Sequence, residues 1–188
     1  METEIIKPKN KIHPHKFTLW VGIGSIVMMF AGLTSAYIVK RSQANWQTFE
    51  IPTAFWISTI LILISSATLH LSLKFFKERE MRKYRMLMLT TLIFGVLFII
   101  TQYTGFRNLW NAGITLQASV SFSFLYVIVG LHALHVLGGV LALIIMSLKA
   151  FSQKTRVYSI VPVELICTYW HFVDILWIYL LVFLVMIR

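Results

Sequence analysis

Five long runs of apolar residues, separated by short polar stretches, dominate the chain. A helix needs about 20 mainly apolar residues to cross a bilayer, and the runs are close to that length or longer. Every backbone N–H and C=O in lipid must be paired internally, so each run is predicted to be a helix. The third run is the shortest and contains Gln102 near its end. The predicted helices are Phe17–Val39, Ala54–Phe75, Met86–Thr104, Val120–Leu148 and Ile160–Ile187.

Composition gives the same class of protein. The mean hydropathy is +0.78 and only 13% of residues are charged, whereas soluble domains average about 25%. The fold class predicted is therefore an all-α integral membrane bundle of five transmembrane helices. The single cysteine, Cys167, excludes an intramolecular disulfide and a cysteine-based cluster.

The basic residues predict the orientation in the membrane. Thirteen of the 17 lie in the N-terminal segment, the second loop and the fourth loop, all on one side of the predicted bundle. The positive-inside rule places the N-terminus in the cytoplasm and the C-terminus outside, in the periplasm. The net charge of +10 is then mainly topological and argues against a nucleic-acid partner. We divide the chain into a polar cytoplasmic segment, residues 1–16, and one membrane domain, residues 17–188.

Polar residues inside the apolar runs are the candidates for function. Asp174 lies about 14 residues from each end of the fifth run, where a charge costs roughly 2.5–3.5 kcal/mol and must face a partner other than lipid. His171 shares its side of the helix, and Glu164 lies two turns before His171. His132 and His135 have the same three-residue spacing in the fourth run. Because His135 and His171 lie near their helix midpoints, they could be neighbours at one depth.

Several chemistries fit such a cluster. Two facing imidazoles could ligate a haem, and histidines with Asp174 or Glu164 could bind a metal. The same groups could relay protons across the bundle. Alternatively, they form hydrogen bonds between helices and contact lipid headgroups or a partner subunit. Spacing alone leaves all four open.

Two motifs carry a family resemblance. Residues 169–177, Tyr-Trp-His-Phe-Val-Asp-Ile-Leu-Trp, closely resemble the C-terminal signature of cytochrome c oxidase subunit III, and residues 130–136, Gly-Leu-His-Ala-Leu-His-Val, resemble the family's preceding helix. Residues 25–37 are similar to an early helix of the family. Gln102 resembles a glutamine at the end of its middle helix. The resemblance runs in order from Phe17 to Arg188.

The resemblance implies a subunit of a haem-copper terminal oxidase in aerobic respiration, located in the bacterial inner membrane. It implies no catalytic, cofactor or metal site in this chain, with haem and copper held by partner subunits. Expected partners are subunit I, other oxidase subunits, membrane phospholipid and, further, a larger respiratory supercomplex. The subunit would support proton uptake and turnover stability. The residues expected to act as structural, lipid or subunit contacts are His132, His135, Glu164, His171, Asp174, Trp170, Trp177 and Gln102.

The chain departs from the family pattern in three ways. Ile26 stands where the early helix usually has a glutamate, and Gly105-Phe106 stands where the family often has Glu-Tyr. Longer members have seven helices, of which the last five correspond to those here, which leaves open whether another subunit supplies the other two. Two readings also stay open: a stand-alone cytochrome or metalloenzyme using the histidines, and the equivalent subunit of a quinol oxidase or nitric oxide reductase system.

Small residues predict where helices approach closely. Gly32 with Ala36, and Gly138 with Ala142, are small residues four apart in apolar helices. Such pairs let the backbones of neighbouring membrane helices come together.

Overall fold

The computed structural model describes residues 14–42, 46, 50–151 and 159–187. The five predicted helices are confirmed, and each is long and apolar enough to cross a membrane. No strand occurs in these residues. The helices are α1 (Pro14–Lys40), α2 (Thr53–Lys77), α3 (Met81–Asn111), α4 (Val120–Phe151) and α5 (Ile160–Ile187).

The first four helices are longer than predicted, most clearly at the start of α1 and at both ends of α3. α1 begins at Pro14, inside the segment assigned as a polar N-terminal stretch; residues 1–13 of that segment lie outside the described residues. α3 was expected to be the shortest helix but has 31 residues, more than every other helix except α4. The added residues are 81–85, three of which are basic, and 105–111, which include Arg107, Asn108 and Asn111. A pattern of apolar residues leaves such polar turns out, although they continue the helix.

α2 and α3 form the most closely packed pair in the bundle. Their buried residues recur at alternating spacings of three and four, as in a coiled-coil seam. Three serines of α2, seven residues apart, line the seam and are fully buried. Ser65 donates to the carbonyl of Thr91 at 3.2 Å, and Ser72 donates to that of Tyr84 at 3.3 Å. Small side chains that bond to the facing backbone allow this close approach.

α5 lies at the centre of the bundle, in contact with α1, α2 and α4. α1 packs only against α4 and α5 in the described part of the chain and makes no helix–helix contact with α2. At one end of the bundle Glu164 forms ion pairs with Lys16 and Lys77. These pairs bring the start of α1, the end of α2 and the start of α5 to the same end, as alternating membrane crossings require.

Candidate functional site

Trp170 is held between two glycines. Its indole ring is 1% exposed. A methyl group on Gly95 of α3 or on Gly139 of α4 would lie 2.9 Å from ring atoms of this tryptophan. The indole N–H donates to Ser65 Oγ at 3.2 Å, and the same serine bonds to α3. Trp170 therefore joins three helices to α5 at a single point.

A second aromatic layer surrounds His132. Its imidazole stacks on Trp177 with ring centroids 5.1 Å apart and planes 28° apart. Phe98 meets both rings edge-on, at 6.2 Å from His132 and 5.5 Å from Trp177. The Trp177 N–H donates to Thr59 Oγ1 at 2.9 Å. His132 is fully buried, and neither ring nitrogen has a hydrogen-bond partner among the described residues.

His135 and His171 contact different helices. Nδ1 of His135 is 2.7 Å from the carbonyl of Leu131, and its ring meets Phe30 of α1 edge-on at 5.9 Å. Tyr169 of α5 contacts His135: the Tyr169 hydroxyl donates a hydrogen bond to the backbone carbonyl of His135 at 3.0 Å. A pairing of His135 with His171 is thus absent from the described contacts, because His171 is turned towards α2.

On the α2 side, His171 contacts two polar residues, Ser66 and His70, that the sequence pattern did not indicate. Ser66 Oγ lies 2.5 Å from Nδ1 of His171. The ring of His70 lies 6.0 Å from that of His171. Asp174 is 3% exposed. Neither oxygen of its carboxyl group has a hydrogen-bond partner among the described residues.

Glu164 occupies the end of the bundle where α1 and α2 meet α5. Its carboxylate lies 2.7 Å from the Lys16 ammonium and 3.5 Å from that of Lys77. A cavity of about 360 Å³ adjoins the first pair and extends along α5 as far as His171. Its apolar walls include Trp20 and residues of α1, α2 and α5.

Gln102 lies at the far end of the α2–α3 seam. Its side chain is 3% exposed, and Nε2 donates to Ser58 Oγ at 3.0 Å. Ser58 in turn donates to the carbonyl of Phe55 at 2.9 Å. Next to it, Gly105 faces Phe55 so closely that a methyl group would lie 2.8 Å from the ring. The space beside Gly105 is taken by the Phe55 ring.

The polar side chains described above take part in several separate contacts between helices. In the described residues no group of three or more His, Cys, Asp and Glu side chains is arranged to hold a metal ion. One face of the His132 ring is covered by Trp177, and the Phe98 ring meets it edge-on. The arrangement can hold helices together, keep polar groups away from lipid and present a charged cavity at one end.

The predicted close approaches lie at other glycines. A methyl group on Gly32 would meet nothing within 4 Å, and one on Gly138 would meet only the Tyr169 hydroxyl, at 3.9 Å. The close contacts are at Gly95, Gly105 and Gly139. Gly95 and Gly105 could have been found from the three–four spacing of apolar and small residues in α3. Ser66 and His70 are four residues apart on α2 and so lie on one face of that helix, which could have indicated a polar contact there.

The chain is similar to known proteins over most of its length. The family model for cytochrome c oxidase subunit III matches residues 39–187. A protein of Mycobacterium tuberculosis named probable cytochrome c oxidase subunit 3 is 28% identical over 95% of this chain and 94% of its own. The cytochrome c oxidase subunit 3 of Corynebacterium diphtheriae is 30% identical over 84% and 83%. A probable quinol oxidase subunit 3 of Staphylococcus haemolyticus is 22% identical over 88% and 85%.

The helices and these matches define a multi-pass membrane subunit of a respiratory oxidoreductase complex. The chain belongs to the cytochrome c oxidase subunit III family, which is a family of haem-copper oxidase subunits. Other subunits of that oxidase are therefore its partners. The match covers both motifs on α4 and α5 as well as Gln102. Residues 25–37, which suggested a likeness to an early helix, precede the matched residues.

Proposed function

We propose that this chain is a subunit III without redox groups in a haem-copper terminal oxidase of a bacterial inner membrane. It packs on subunit I, binds phospholipid, and supports proton uptake and stable turnover. The observation that carries the proposal is the family match over residues 39–187, which includes the helix whose polar side chains join the bundle. His132 and Trp177 stack on each other there, and Trp170 binds α2 through Ser65.

The cavity beside Glu164 supports the lipid part of the proposal. Two ammonium groups and one carboxylate leave a net positive charge at its mouth, suited to a lipid phosphate. Leu19, Trp20 and Leu73 give apolar walls for the first part of an acyl chain. A second groove, of about 410 Å³ and almost wholly apolar, lies between α1 and α5 and includes Phe30 and Ile175.

The test is purification in a mild detergent. We expect tagged chain to copurify with the haem- and copper-bearing subunits of an oxidase and with phospholipid. Chain separated from those subunits should show no visible haem absorption. A coloured isolated chain would favour the stand-alone cytochrome, in which His132, His135 or His171 ligates haem. Copurification without any oxidase subunit would reject the proposal.

The proposed orientation is N-terminus in the cytoplasm and C-terminus in the periplasm. It rests on the 13 basic residues assigned to one side against four on the other. A periplasm-active reporter fused after Arg188 should be active, whereas the same reporter fused after Arg82, in the first turn of α3, should be silent. The reverse pattern would overturn the orientation while leaving the helix count intact.

A second assignment changes only the complex. The Staphylococcus haemolyticus relative is named as a quinol oxidase subunit, so subunits of this sequence type occur in oxidases with a different electron donor. A nitric oxide reductase system is the remaining variant of this reading. The proteins that copurify with the chain distinguish these complexes, because the site of electron entry lies on other subunits.

A further inference from the structure

The turn between α2 and α3 holds an arginine in a backbone conformation that favours glycine. Arg79 has a φ of 63°, in the left-handed region. Its N–H donates to the carbonyl of Phe76 at 3.2 Å, and the N–H of Glu80 donates to that of Phe75 at 3.0 Å. These two bonds form a Schellman arrangement, in which the left-handed position is usually glycine. Because such backbone strain is concentrated at functional positions, the Arg79 side chain is a candidate for binding.

The Arg79 side chain lines a cavity of about 300 Å³ at this end of the bundle. The lining residues come from the last turn of α2, the turn itself and the first residues of α3 and α5; they are Phe76, Lys77, Arg79, Met81 and Ile160. Two basic groups therefore lie beside three apolar side chains, at the level where the helices end. The cavity shares no lining residue with the one beside Glu164.

The acidic side chains described near this cavity are paired elsewhere or form no ion pair with Arg79. Glu80 pairs with Lys83 at 2.6 Å, and Glu164 lies 3.5 Å from Lys77. Arg79 itself takes part in no ion pair between described residues. A guanidinium can bind a carboxylate through two parallel hydrogen bonds, which adds geometric specificity to the charge. The cavity thus offers one guanidinium for an acidic group next to an apolar surface.

We propose that this cavity is a docking site for an acidic segment of another subunit of the oxidase. An Asp or Glu side chain of that segment pairs with Arg79, and a neighbouring apolar residue packs on the three apolar side chains of the cavity. Residues 74–85 contain six basic and two acidic residues, so the surface around the cavity is complementary in charge to such a segment. The proposal uses the membership of an oxidase complex and is independent of lipid binding and of the orientation in the membrane.

Two other occupants fit the cavity less well. Residues 1–13 of this chain contain two glutamates but three lysines, so a positive surface does not favour that segment. A lipid phosphate on a membrane surface is attracted by basic side chains in many positions and requires no arginine in a left-handed turn. A guanidinium fixed beside an apolar surface suits a carboxylate that is itself held by a folded partner.

The first test is zero-length cross-linking of the purified oxidase complex that contains this chain. Arg79→Lys places an amine at the cavity, and a water-soluble carbodiimide converts a contacting amine and carboxylate into an amide. Peptide mass spectrometry should locate this amide between position 79 and an Asp or Glu of another subunit. Arg82→Lys is the matched control, because Arg82 lies in the first turn of α3 and does not line the cavity.

The cross-linking results separate the partner from the chain itself. An amide formed only with Glu2, Glu4 or Glu78 would assign the contact to this chain and overturn the proposal. Equal yields of the intersubunit amide from the two lysine variants would also overturn it, and so would its absence from an intact complex.

A glycine variant separates binding from folding. Arg79→Gly suits the left-handed turn, so the unfolding temperature of the full chain in detergent should not fall. Its dissociation from the complex should become at least about tenfold faster, as expected when a hydrogen bond to a charged group is lost. Arg82→Ala removes the same charge from a position outside the cavity and should leave the dissociation rate nearly unchanged.

Three results with the glycine variant would reject the docking site. An unchanged dissociation rate would show that Arg79 contacts no partner. A lower unfolding temperature together with faster dissociation would attribute the loss to folding of this chain. Loss of copurifying anionic phospholipid with normal retention of the chain would assign the cavity to a lipid phosphate.

Discussion

Gly139→Ala is expected to destabilise the bundle by about 1–3 kcal/mol, the usual range for an overpacked core. The added methyl group would lie 2.9 Å from two ring atoms of Trp170 and 3.3 Å from the ring of Tyr169. The tryptophan cannot retreat, because Gly95 closes on its other edge and its N–H is bonded to Ser65. The measurement is the thermal or detergent-induced unfolding of the purified complex, with loss of this subunit as the readout.

The neighbouring residue provides the control. Gly138→Ala introduces the same methyl group one residue earlier, at an exposed position whose nearest contact would be 3.9 Å away. Alanine has a higher helix propensity than glycine, so this variant should be neutral or slightly stabilising. Equal losses in both variants would show that helix α4 resists alanine generally. No loss in either would mean that Trp170 does not lie between the two glycines.

Much of the fold could be predicted from the hydrophobic pattern alone. In lipid, backbone groups can be satisfied only within the helix, so an apolar run fixes both the element and its approximate length. The length of α3 was underestimated because its first and last turns carry basic and amide side chains, which an apolar pattern does not include although they continue the helix. The pattern also failed to predict how closely helices approach. Gly32 and Gly139 look alike in sequence, but only the second faces a large side chain of another helix.

The sequence indicated which polar residues to consider for the candidate site, but not which residues they contact. Asp174 and His132 are buried as expected for polar groups that avoid lipid. Which helix each one faces depends on the rotation of α5 and on its three neighbours, and midpoint depth does not determine that rotation. For this reason His135 contacts Tyr169, whereas His171 contacts Ser66 and His70 of α2, which the sequence pattern did not indicate. The roles of these residues in lipid or subunit contact stay predictions.

Removal of the whole chain is expected to leave oxygen reduction by the oxidase intact at first but to shorten the time for which the enzyme stays active. Since no redox ligand is proposed here, the haem and copper spectra of the remaining complex should be nearly unchanged, and the initial rate of oxygen reduction should persist. Activity should then decay faster over repeated turnovers, and proton uptake should slow, as the family resemblance implies. The deletion complex would be assayed for its visible spectrum, initial rate and rate of inactivation.

Adding the chain back provides the comparison that assigns these losses. Wild-type subunit should restore the turnover lifetime, and so should Gly138→Ala, whereas Gly139→Ala should restore it only in proportion to the subunit that stays bound. Loss of a haem band on deletion would overturn the assignment of a subunit without redox groups. It would favour ligation of haem by His132, His135 or His171. An unchanged spectrum together with an undiminished lifetime would contradict the role in turnover. The chain would then contribute to its complex through assembly and lipid packing, for which the Trp170 contacts and the charged cavity already provide the means.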